Sequence, residues 1–248
     1  MFDFMLTIWR KNAKTYKRDF LNTLTMWLRP IILIIPLIFF SKYISNDIKV
    51  TNFLVISGLL AYLIGNTVIG TNFELSNELK SGTHINLLVA PVSYYAYILA
   101  QALFQAFLIT VEVIILAGLF YKGELSFKNL IIVLVSTICL ILISISFAII
   151  LSIFTVISGT FRYSSMLTNL VLLLSGIFFP ITVFPEFLRI LSLVNPFTYG
   201  IDIVRSLFIG SNTIFDTKLE LAIIFMCTVL GVIVSKKIIK YYIFLIKS

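Results

Sequence analysis

Leu174 to Gly210 reads LSGIFFPITVFPEFLRILSLVNPFTYGIDIVRSLFIG, and its reading decides how the rest of the chain folds. It begins as an apolar span and breaks at Pro180 and Pro185. Proline removes a backbone donor and clashes with the preceding turn, so a continuous helix through Pro180 is disfavoured. Two short helical pieces follow, hinged at Asn195-Pro196. Backbone broken at membrane depth survives only where protein or a water-filled cavity satisfies its polar groups. Glu186, Arg189, Asp202 and Arg205 therefore point to a structured lid at one membrane face, over residues 182–210. An ordinary outer loop with two amphipathic turns is the other reading of the same residues.

Composition sets the class. Of 248 residues, 60% are hydrophobic and only 12% charged, and the mean hydropathy is +1.07. These values indicate an all-α, polytopic membrane protein. At about 20 apolar residues per span, the length allows roughly six transmembrane helices. No polar stretch is long enough for a separate soluble domain, so residues 1–248 are read as one transmembrane unit. The two cysteines, Cys139 and Cys227, lie inside apolar runs, which suits packing rather than a disulfide framework or a metal pair. The formal charge of +8 does not mark a nucleic-acid partner, because the positive residues cluster beside spans. The N-terminus lacks the pattern of a cleavable signal peptide.

Residues 3–20 are expected to form an amphipathic helix. At 100° per residue, Met5, Ile8, Trp9, Ala13, Tyr16 and Phe20 share one face, with Arg10, Lys11, Lys14, Lys17 and Arg18 opposite. That is the design of a helix lying in the interface of an anionic leaflet, in contact with membrane lipid. Spans are expected at about 24–44, 52–72, 95–120, 129–157, 165–180 and 218–235. In the first, Arg29 snorkels to the interface beside Trp27, and Pro36 marks a kink. Between the second and third spans, residues 74–93 form the longest polar interruption, ELSNELKSGTHINLLVAPVS, with Thr83 placed to cap a short helix that Pro91 closes. Glu112 lies roughly 12 Å inside the third span at 1.5 Å per residue. An intramembrane carboxyl is a functional candidate, and a bridge between two helices is its structural alternative. With this layout, twelve of the 19 lysines and arginines fall on one side and seven on the other. The bias places both termini in the cytoplasm of a cell (plasma) membrane protein.

Enzymatic chemistry finds no support. His84 is the single histidine and stands in the polar segment, so no Ser–His pair exists within the membrane. No paired-histidine or cysteine-cluster metal motif is present. Gly65 and Gly70 have the spacing of a phosphate loop, but Thr71 stands where its lysine belongs. The chain carries no glycine-rich loop ending in lysine and thus no ordinary ATP-hydrolysing site.

The same segments resemble the transmembrane subunits of type-2 ATP-binding-cassette (ABC) exporters, in particular the drug- and polysaccharide-export permeases. Over 175–210 the likeness is carried by Ser175, Gly176, Pro180, Pro185, Asn195, Pro196, Tyr199, Arg205 and Leu207. After the second span it is carried by Glu78, Gly82, Thr83, Leu87, Leu88, Pro91, Val92 and Ser93, with His84 departing from the family's usual glutamate or polar residue. The resemblance implies a permease dimer, homo- or heteromeric, working with a pair of cytosolic ATPase subunits that alone bind ATP and magnesium. It implies that residues around 78–90 (Glu78, Gly82, Thr83, His84, Leu87, Leu88) form a coupling helix. It also implies an outer gate over 182–210 marked by Pro180, Pro185, Asn195, Pro196, Tyr199 and Arg205. Asn66, Thr67, Thr168, Asn169 and Phe178 are then expected along a path of mixed polarity, suited to drugs, peptides, lipids or lipid-linked glycans. A proton-coupled transporter or channel using Glu112 is the alternative, against which stands the lack of an internal repeat.

Overall fold

The computed structural model describes residues 2–18, 20–44, 47–82, 93–121, 123 and 126–247. Among these, regular structure is entirely helical. The elements are α1 (Phe2–Arg18), α2 (Phe20–Ile44), α3 (Ile48–Ser81), α4 (Tyr94–Phe120), α5 (Phe127–Ser158) and α6 (Phe161–Leu174). A single 3-10 turn (Ile181–Val183) leads to α7 (Glu186–Val194), α8 (Pro196–Ile209) and α9 (Thr217–Lys247).

Among the described residues, five helices are long and apolar enough to cross a membrane: α2, α3, α4, α5 and α9. The expected fifth span, 165–180, is not one of them. It is the 14-residue helix α6, about 21 Å long at 1.5 Å per residue against a hydrocarbon core of about 30 Å. The cause is local. Gly176 adopts a left-handed backbone with φ 73°, and a Cβ there would meet Ile181 Cγ1 at 2.6 Å. Pro180 then starts the 3-10 turn instead of continuing a helix. A sixth crossing exists only if α7 and α8, bent by 94° at their junction, count as one broken span.

Helix α3 is the centre of the bundle. Its apolar stretch is 67% buried, against 17% for that of α2, so α2 lies at the periphery. Around α3 pack α2, α4, α5, α6 and α8, while α5 also carries α8 and α9. One apolar core joins Val55, Leu59, Leu140, Phe197, Ile201 and Ile224. A second, nearer Gly82, joins Leu75, Leu79, Ile98, Ile145, Ile149 and Ile239. Gly200 lets α8 approach its neighbours closely, since a Cβ there would fall 2.4 Å from Ile224 Cδ1 and 2.7 Å from Leu140 Cγ.

The second span extends past its expected end at residue 72. No breaker follows until Gly82, whose left-handed φ of 72° caps α3 after 34 residues. Glu74 and Glu78, expected in a polar loop, are thus helical. Helix α1 docks its apolar face on α4: Trp9 Nε1 donates to Ala100 O at 3.0 Å, and its ring lies 5.5 Å from Phe104. Arg10, Lys11, Lys14, Lys17 and Arg18 are exposed as expected, but so is Ala13, because the contact with α4 is narrower than the apolar face.

Candidate functional site

Around the proline-broken stretch, side chains close the backbone's open ends. Pro185 begins α7. Asn195 ends it and caps α8, its Oδ1 accepting from Phe197 N at 3.1 Å. Its Nδ2 donates to Val171 O of α6 at 2.7 Å. Pro196 takes the first helical position of α8, where its missing donor costs nothing. Across the bend, Thr198 donates to Ser192 O at 2.6 Å and the Tyr199 hydroxyl to Leu193 O at 2.6 Å. A 94° turn is thereby fastened from both sides.

Arg205 completes this clamp. Its side chain is buried and donates to Gly176 O at 2.8 Å and to Asp202 Oδ1 at 2.9 Å. The guanidinium also lies 5.2 Å from the ring centroid of Phe53 on α3, within cation–π range. Asp202 Oδ2 accepts from Ile214 N at 2.8 Å, and Glu220 Oε1 accepts from Phe215 N at 2.9 Å. One buried ion pair thus ties α8 to α3, to the turn after α6 and to the loop between α8 and α9. Buried charges persist only when paired and hydrogen-bonded. Asp202 was expected among the charges of the lid but not as a gate residue, and Glu220 was not expected at all. The signal for Asp202 was its three-residue spacing from Arg205 within an apolar helix.

The expected path residues divide. Asn66, Asn169 and Phe178 line one cavity of about 320 Å³ between α2, α3 and the end of α6. Thr67 and Thr168 do not line it. Thr67 is fully buried in the bundle, and Thr168 donates to Ser164 O within its own helix at 2.9 Å. A second cavity, of about 330 Å³, shares Tyr62, Asn66 and Ile69 with the first and is lined by Tyr16, Arg29, Glu74 and Gln105. Burial, followed by the negative charges of Glu74 and Glu112, holds the Tyr16 phenol above its ordinary range.

Toward Gly82, Glu74 accepts from Gln101 Nε2 at 3.0 Å, and Glu78 accepts from the Tyr97 hydroxyl at 3.0 Å. Both bonds join α3 to α4. Lys80 Nζ donates to Gly159 O at 3.2 Å, joining α3 to the α5–α6 turn. Asn72, Thr155 and Ser164 form a buried hydroxyl and amide cluster between α3, α5 and α6. Of the expected coupling residues, Glu78 and Gly82 thus belong to the end of α3. Thr83, His84, Leu87 and Leu88 lie outside the described residues. Glu112, deep in the bundle, accepts from the Tyr62 hydroxyl at 2.7 Å, a bridge between α4 and α3. No group of three or more metal-ligating side chains occurs among the described residues.

The family model of the ABC-2 type transporter matches residues 3–209, from α1 through α8. The chain belongs to the ABC-2 type transporter family. It is therefore the transmembrane subunit of an ABC transporter, a multi-pass membrane protein and a transport component rather than an enzyme in its own right. Members of this ABC-2 family normally work with an ATPase subunit. No curated protein matches the sequence.

Proposed function

We propose that this ABC-2 chain is the permease of an exporter that moves an amphiphile across the cell membrane. A separate pair of cytosolic ATPase subunits, which hold the ATP and magnesium, supplies the energy. The permease pairs with a second permease subunit, and both termini face the cytoplasm. In this reading α1 lies in the inner interface. Residues around 78–90 take the push from the ATPase, and α7 and α8 form a re-entrant outer gate. The observation that carries the reading is the cavity lined by Asn66, Asn169 and Phe178, lying between a helix that ends at Gly82 and the Arg205 clamp. A path of mixed polarity with a lever at one end and a seal at the other suits an amphiphile moved by alternating access.

Single cysteines at Ser81 and Phe187, both exposed, test the sidedness in a background lacking Cys139 and Cys227. An impermeant maleimide added to intact cells is expected to label Phe187→Cys and to spare Ser81→Cys. Labelling of both from one side overturns the arrangement. Deletion of residues 83–90 is expected to abolish co-purification of the ATPase. Glu112→Gln, which keeps an acceptor for Tyr62, is expected to leave ATP-driven transport within about twofold of wild type, since an amide replaces the carboxylate in a neutral hydrogen bond. Loss of transport in that variant, with dependence on a proton gradient, would favour the proton-coupled alternative.

A further inference from the structure

The two cavities that meet at Tyr62, Asn66 and Ile69 differ in chemistry. Those three residues are spaced i, i+4 and i+7 on α3, so they share one helix face. Beyond them on one side the walls are mainly apolar, among them Leu33, Leu37, Gly65 and Leu172, with Ser57 and Asn169 as the polar members. On the other side stand Arg29, Glu74 and Gln105. Arg29 takes part in no ion pair or hydrogen bond among the described residues. Gln105 Oε1 is buried and has no hydrogen-bond partner. Its amide is seated where α3 has a glycine: a Cβ on Gly70 would fall 1.9 Å from Gln105 Nε2. Glu74 keeps one oxygen on Gln101. The polar compartment is thus lined by a cation on α2, a carboxylate on α3 and an amide on α4.

We propose that the two compartments together bind one anionic amphiphile, a lipid-like molecule with a phosphate-type head that also carries hydroxyl or ammonium donors. The inference rests on the exporter reading and names its substrate class. The guanidinium of Arg29 offers a planar fork matched to phosphate or carboxylate oxygens. The oxygens of the Glu74 carboxylate, beyond the bond to Gln101, accept from the donors on the head. Those acceptors also explain why an acid alone fits poorly, because Glu74 repels it unless donors intervene. A cationic head would meet Arg29 with like charge. The tail follows the α3 face past Asn66 into the apolar compartment, where Ala61 and Gly65 are small wall residues. Arg29 and Glu74 lie toward the end of the bundle that bears Lys80 and the basic face of α1. The head therefore sits at that membrane surface with the tail toward the bilayer centre, the posture of a lipid in that leaflet.

Binding of radiolabelled 1-oleoyl-lysophosphatidylglycerol to the full chain in phosphatidylcholine nanodiscs tests this. Saturable binding is expected, at least tenfold tighter than that of uncharged mono-oleoylglycerol or of oleyl-trimethylammonium, both measured by competition on the wild-type protein. Arg29→Gln is expected to weaken binding tenfold or more, whereas Lys237→Gln, at an exposed cation on α9, leaves it unchanged. Gly65→Leu is expected to abolish binding by filling the tail compartment, and its Cβ meets Leu172 only at an ordinary 3.5 Å. Equal affinity for the charged and uncharged lipids overturns the proposal, as does an equal loss in Arg29→Gln and Lys237→Gln, which would mark unspecific membrane electrostatics. The ligand comparison needs no ATPase, so its failure leaves the exporter reading standing. Selective binding without any ATPase association would strike the exporter reading alone.

Discussion

At the Gly176 end of the bundle, Asp202 and Arg205 are buried, pair at 2.9 Å and have further bonds to backbone groups of two loops. At the Gly82 end, Glu74 accepts from Gln101 and Glu78 from Tyr97, both neutral donors on α4. The first arrangement fixes several chain segments against one another, and breaking any part strands a charge in a poorly solvated place. The second joins two helices through neutral donors alone. On the proposed exporter reading, the first suits a seal and the second a segment that shifts.

The sharpest attempt to break this contrast is Arg205→Ala. It leaves Asp202 buried without its cation and is expected to cost about 3–5 kcal/mol, read as the unfolding free energy in dodecyl maltoside micelles. A loss below about 1 kcal/mol would mean that water already reaches the pair. Next comes Tyr62→Phe in the middle of the bundle, which removes the donor to buried Glu112 and is expected to cost about 1–3 kcal/mol by the same measurement. Asn195→Ala removes both the α8 cap and the tie to α6, for about 1–2 kcal/mol. Asn195→Asp is expected to recover part of that loss, because it keeps the cap acceptor but not the donor to Val171. The smallest effect is expected for Tyr97→Phe at the Gly82 end, about 0.5–1.5 kcal/mol. If Tyr97→Phe proved as damaging as Arg205→Ala, the two ends would be equally rigid and the contrast would fall.

Much of this organisation is legible in the sequence wherever a backbone rule operates. Pro180, Pro185 and Asn195-Pro196 mark the breaks because missing donors and fixed φ angles act locally. The apolar runs place α2, α4 and α5 close to their expected ranges, whereas α9 starts as expected but continues past 235 to Lys247. What the sequence hides depends on direction. Helix α3 is buried on most of its circumference, so its polar residues carry no periodic signal: Asn66 reaches the cavity while Thr67, one position on, does not. Residues 74–81 look like a loop by polarity, yet they stay helical because α4 supplies partners at Gln101 and Tyr97, more than twenty and about twenty positions away. The shortness of α6 follows from Gly176, whose demand for a left-handed backbone becomes visible only once Ile181 is seen packed against it. The clamp's link from Asp202 to Ile214 joins segments that no local pattern connects.

The 34 helical residues from Ile48 to Ser81 form an unbroken rod about 51 Å long, well beyond the roughly 30 Å of hydrocarbon it crosses. Such a rod has no joint between its Gly82 end and the face that borders both cavities. A tilt of about five degrees would sweep the tip by roughly 4 Å over that length. Motion at the Gly82 end would therefore reach Asn66 and Phe53 as one rigid swing, without a relay of side-chain rearrangements.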